Sequence, residues 1–183
     1  MIGKVLISGG AMLLILASSV EIVFPPKPVL LYNPSESAPV GWYRLHSKGS
    51  LENDALVAAY APETARRLAH ARNYLPYDYP LIKTIWAVPG TYICIHNTRV
   101  RAPNRPDIYQ LAHDGLGRDM PKLSGCFTLK SDEYFLISKD VQTGFDSRYF
   151  GPVSRENILG RVQYLGGRKN DTVLKTTEKE GQK

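Results

Sequence analysis

The chain has 183 residues, 43% hydrophobic and 22% charged, which fits one folded domain with an appendage and excludes extensive disorder outside the ends. Its 23 Lys and Arg outnumber 17 Asp and Glu, but the cations are dispersed rather than gathered into a basic run, so no nucleic-acid partner is expected. Two cysteines are too few for a thiolate zinc site, and His46, His70, His96 and His113 lack ligand-like spacing, so neither a metal nor another cofactor is expected.

Lys4 is the only charged side chain before Glu21. The uncharged run from Val5 to Val20, continued by Ile22, Val23 and Phe24, reaches the length of about 20 apolar residues that a spanning helix needs. Residues 1–24 therefore read as a membrane anchor or as an export signal cut near the small residues of LASSV. Lys4 stays on the inner side in both readings, which sends the body of the chain outside the cytoplasm and sets it beside a lipid bilayer. FPPKP ends the apolar helix, and residues 25–31 form a stiff spacer.

The folded domain is expected over 32–166. It opens with YNPSESAPVGWYRL (32–45), where Pro34, Pro39 and Gly41 bend the backbone around the hydroxyls of Ser35 and Ser37. Taken alone, this segment also reads as an ordinary Ser/Pro turn. DALVAAYA (54–61) reads as a buried strand and PETARRLAHARNYL (62–75) as a helix, with Pro62 in its first turn and Glu63 at its positive end. LIKTIWAVPG (81–90) is a β-branched, apolar strand closed by a Pro-Gly turn, and TYICIH (91–96) is another strand. Residues 102–125 are polar and turn-rich, an edge or a loop. CFTLK (126–130), EYFLIS (133–138) and NILGRVQYLG (157–166) complete the strands, and 167–183 form a polar tail expected to be disordered. Many short strands with Gly/Pro turns indicate a mainly β domain, a coiled or barrel-like sheet.

Lys83 is the second unusual residue, a lysine inside the apolar strand PLIKTIWAV. On a half-exposed strand it faces solvent. In an apolar pocket, desolvation lowers its pKa and leaves an amine able to take a proton from a serine hydroxyl. The third is FDSRYFGPVSRENILGRV, where Asp146, Ser147 and Arg148 form either a turn with an acid–base pair or a support for a nearby lysine.

These three segments resemble, in order and residue type, the boxes of bacterial type I signal peptidases. There a Ser-x-Ser-x-x-Pro segment follows a membrane anchor, a lysine precedes an apolar stretch ending in Pro-Gly, and Asp-Ser-Arg-x-(aromatic)-Gly leads into a "GR" strand. PVGWY after the serines and YLP…PLIK before the lysine are closest to the TraF-type peptidases of conjugal transfer systems. The resemblance runs from about Asn33 to Val162. It implies a coiled antiparallel β domain of signal-peptidase type on an N-terminal helix, with Ser37 as nucleophile, Lys83 as general base, and an oxyanion hole from the Ser35 hydroxyl and the Ser37 N–H. Asp146, Ser147 and Arg148 take supporting positions.

Two departures stand out. Thr91 replaces the usual Asp after Pro-Gly. SKDVQTGFDSR replaces the GDNRxNSxDSR of the classic enzymes, which leaves Asp140 without its usual context. The implied substrate is a pilin precursor, cut after a small residue and either released or joined into a ring, with other conjugation components as further partners. The implied location is the bacterial inner membrane with a periplasmic site, or the periplasm if residues 1–24 are removed. There Cys94 and Cys126 pair as a disulfide or remain two buried thiols. The competing readings are a general signal peptidase for exported preproteins, a non-catalytic assembly factor, and a cytoplasmic self-cleaving repressor. The apolar N-terminus and the lack of a DNA-binding helix pair argue against the last.

Overall fold

The computed structural model describes residues 29–139 and 141–167; the expected anchor, most of the spacer, Asp140 and nearly all of the tail lie outside them. No helix among the described residues is long and apolar enough to cross a membrane.

Eleven described strands form two antiparallel sheets. The larger has the order β1 (Leu30–Asn33), β2 (Gly41–His46), β11 (Ile158–Gly166), β3 (Leu56–Ala59), β4 (Leu81–Ala87), β9 (Glu133–Ile137), β10 (Val153–Ser154). The smaller has the order β7 (Ile108–Tyr109), β6 (Arg99–Arg101), β5 (Tyr92–His96), β8 (Gly125–Thr128). The domain is thus mainly β, as expected. β11 bridges β2 and β3 and is bulged between Ile158 and Gly160, which coils the sheet. Gly160 is required there: its φ is +156°, and a Cβ would lie 2.3 Å from the His46 carbonyl oxygen.

Strand β2 is not among the expected strands, although WYRLH alternates, with Tyr43 and Leu45 buried and Trp42 and Arg44 exposed. Its turn-like neighbours, Pro39 and Gly41, masked that period. Leu30 and Leu31, assigned to the spacer, already pair with Arg44 and Tyr43. Helix α1 spans Glu63–Ala71, shorter than the expected 62–75, with Pro62 at its N-cap. Residues 102–125 are largely loop, with the two-residue β7 and a bridge between His113 and Asp119.

Trp86, Ile93, Ile95, Val100, Leu129 and Phe135 fill the space between the sheets. A second cluster (Ala65, Ala69, Met120, Phe145 and Tyr149) seats α1 against the loop ahead of helix α2 (Ser147–Phe150). This arrangement leaves a cleft between α1, the 112–120 loop and the first turn of the chain after β1.

Candidate functional site

The cleft has a volume of about 310 Å³, and Ser35, Ser37 and Lys83 all line it, together with Leu81, Thr143 and Phe145. One strand (β4), the turn after β1 and the loop between β9 and α2, drawn from distant parts of the sequence, bring these groups together.

The turn 34–40 is tied down from both sides. Asn33, at the end of β1 and 5% exposed, donates through Nδ2 to the carbonyls of Ser35 (2.8 Å), Ala38 (2.9 Å) and Pro39 (3.3 Å). Its Oδ1 accepts from the Ser35 N–H (3.2 Å) and the Ser35 hydroxyl (3.0 Å). The Tyr43 hydroxyl donates to the Pro39 carbonyl at 2.7 Å; burial, helped by Tyr164, pushes its pKa up to about 12 and keeps it a neutral donor. Ser35 Oγ and Ser37 Oγ are 2.9 Å apart. The hydroxyls are therefore held by a bent, cross-linked backbone, for which Pro34, Pro39 and Gly41 supply the bends.

Lys83 sits on β4 opposite Val57 and is 2% exposed, so it does not take the solvent face of its strand. Loss of hydration, opposed by Asp146 and helped by Arg148, lowers its pKa from the ordinary 10.5 to about 8. Its Nζ donates to Ser138 Oγ at 2.7 Å, just beyond the end of β9. No direct hydrogen bond joins Lys83 to Ser37: the latter's hydroxyl is engaged by Ser35. An amine of this kind, loosely protonated and sharing a cleft with a hydroxyl, is competent for general-base chemistry once a substrate bridges the two.

Behind Lys83 lies the Asp-Ser-Arg segment, buried at 0%, 0% and 3% exposure for Asp146, Ser147 and Arg148. Arg148 holds Asp146 in a bidentate pair (Nε–Oδ1 2.8 Å, Nη2–Oδ2 2.7 Å) and also donates to the carbonyls of Tyr109 and Gly144. Asp146 caps α2 through the Arg148 N–H and accepts from the Ser138 N–H at 2.8 Å. Ser147 Oγ accepts from the Leu136 N–H. The segment thus anchors both arms of the loop that carries Ser138, and through it the lysine.

The sequence pattern alone gives Ser138 and Asn33 no role. Ser138 carried a signal nonetheless. In SKDVQTGFDSR it stands where the classic form has Gly, and Gly144 stands where that form has Ser. The two departures touch: a Cβ at Gly144 would fall 2.0 Å from Ser138 Oγ, so there is room for a side chain at only one of the positions. Cys94 and Cys126, paired across β5 and β8, are joined as a disulfide remote from the cleft.

The family model for signal peptidase, peptidase S26, matches residues 2–165. A plasmid transfer protein TraF of Escherichia coli is 32% identical over 137 residues, 69% of this chain and 77% of that protein. A probable conjugal transfer protein TraF of Sinorhizobium fredii is 29% identical over 140 residues, covering 72% and 73%. Among solved structures, a signal peptidase I from Enterococcus faecalis aligns with a TM-score of 0.39 at 14% identity, over 64% of this chain and all of that one. Nearly the whole described domain falls within the family match, and the chain belongs to the signal peptidase family of serine peptidases, in its TraF-type branch.

Proposed function

We propose that the chain is a Ser–Lys endopeptidase that processes the pilin precursor of a conjugative transfer system at the outer face of the inner membrane. The observation that carries this reading is Lys83, buried in the cleft that Ser37 lines and held near pKa 8. At pH 7 roughly a tenth of such an amine is neutral. Ser37 Oγ attacks the scissile carbonyl and its proton passes to Lys83 Nζ, which returns it to the leaving amine. The Ser37 N–H and the Ser35 hydroxyl stabilise the oxyanion that forms between these steps. Water then cleaves the acyl-enzyme. If the amino terminus of the same pilin chain attacks instead, the product is a ring. An extended substrate pairs along β1, which has a strand partner on one side only among the described residues. The likeness to plasmid and conjugal transfer proteins supports a substrate of the transfer system over a general preprotein.

The test is mass spectrometry of the pilin from cells carrying the wild-type chain or Ser37→Ala. Accumulation of precursor only in the variant is expected, and a wild-type product one water lighter than the cut chain identifies ring closure. Identical pilin in both strains overturns the reading.

A further inference from the structure

The Ser35–Ser37 contact leaves open which oxygen donates. The surroundings of Asn33 decide it. Its amide orientation is fixed, because the carbonyls of Ser35, Ala38 and Pro39 only accept and so must face Nδ2, and the Ser35 N–H only donates and so must face Oδ1. An amide oxygen has no proton, so the Ser35 hydroxyl spends its single proton on Asn33 Oδ1. Ser35 Oγ is then the acceptor, and the Ser37 hydroxyl donates to it. The proton order therefore runs Ser37 to Ser35 to Asn33.

Resting on the peptidase reading above, we infer that Asn33 is a positioning residue for this reaction: it holds the oxygen of Ser35 at the nucleophile and parks its proton until an oxyanion forms. Asn33 fixes the rotamer of Ser35, so Ser35 Oγ stays in place throughout. When a tetrahedral intermediate forms, the Ser35 O–H needs only to swing from Oδ1 to the new oxyanion. No heavy atom moves, which is the condition under which an oxyanion donor is worth most. Ser37, having lost its proton to Lys83, no longer needs Ser35 as an acceptor.

Two variants and one masking background separate this role from a purely structural one. Asn33→Ala removes both halves of the amide. Asn33→Asp keeps the acceptor for Ser35 and loses the donor to the three carbonyls. The probe is the p-nitrophenyl ester of a short peptide ending in alanine, with acylation read from p-nitrophenolate release by the purified full chain. We expect Ser35→Ala to slow acylation about 100-fold, on the scale of other oxyanion donors. Asn33→Ala should slow it about 10-fold with KM unchanged, and this loss should vanish in the Ser35→Ala background. Asn33→Asp sets a carboxylate oxygen against the three carbonyls that tie the turn, so it should lower the melting temperature and the acylation rate together. An Asn33→Ala loss that persists undiminished beside Ser35→Ala overturns the positioning role. The peptidase reading fails separately: it falls if Ser37→Ala acylates as fast as wild type.

Discussion

Replacing Lys83 with methionine should make the domain inactive and, below pH 8, more stable. In the folded chain the lysine's pKa is about 8, against 10.5 for an ordinary lysine. Between these values the unfolded chain binds a proton that the folded chain has released. Stability therefore rises with pH across that window, and the folded state carries the full cost of a desolvated ammonium below it. The difference corresponds to about 3 kcal/mol, at about 1.36 kcal/mol per pK unit. Methionine fills similar space without the charge. It leaves Ser138 Oγ without its donor, an offset of about 1 kcal/mol. The net gain at pH 6 is about 2 kcal/mol, or roughly 4–8 °C in melting temperature for a domain of this size. Above pH 10.5 only the lost Ser138 contact remains, and the wild type should be the more stable by about 1 kcal/mol. Thermal unfolding of both chains from pH 6 to pH 11 measures the difference, in which the other titrating groups cancel. A difference that does not change with pH, or a variant less stable at pH 6, refutes the assignment of Lys83 as a desolvated amine.

The rate of peptide cleavage should rise with pH and level off above about 8, because the neutral form of Lys83 is the active one; a flat profile of kcat/KM from pH 6 to 9 excludes it as the base. Gly144→Ser should drive a side chain into Ser138, costing about 1–3 kcal/mol and most of the activity. Adding Ser138→Gly should restore a melting temperature close to wild type, and failure of the double exchange shows that the two positions do not compete. Arg148→Met leaves the Asp146 carboxylate buried and unpaired and should destabilise the fold by about 3–5 kcal/mol, read from urea unfolding. Reducing the Cys94–Cys126 bond, which spans 32 residues, should cost about 3–4 kcal/mol while leaving the Ser37–Lys83 cleft intact, so activity at low temperature should survive.

The strands with a clear β-branched or alternating signal were legible: β3, β4, β5, β9 and β11 fall where their patterns place them. Strands β1 and β6 were not, being short, and β2 was not, because Pro39 and Gly41 at its start also make turns. The serines and Lys83 stood out as residues at odds with their surroundings, a hydroxyl pair in a rigid bend and a cation in an apolar strand. Neither the burial of Lys83 nor its partner was readable. Ser138 is 55 positions away, and only the pairing of β4 with β9 brings it close. Asn33 looked like one more turn residue, and its importance lies in five contacts within its own loop, which residue types alone do not reveal.

The cleft is built from parts of different standing. The groups proposed for the chemistry come from the turn that follows β1 and from Lys83 within β4, a strand of a sheet whose registers are locked by bulges and buried side chains. Much of the wall around them (Ala69, Tyr74, Leu75, Asp114, Gly115 and Met120) comes from stretches inserted between strands. The longer stretch, which supplies Asp114, Gly115 and Met120, lies within the loop that the disulfide closes between Cys94 and Cys126. A lineage can therefore redraw this wall, lengthening or exchanging residues 113–119, while residues 109–111 keep their bonds to Arg148 and Tyr149 and the frame that carries Lys83 stays as it is. Substrate range and bond-breaking chemistry are free to evolve at different speeds in one small domain.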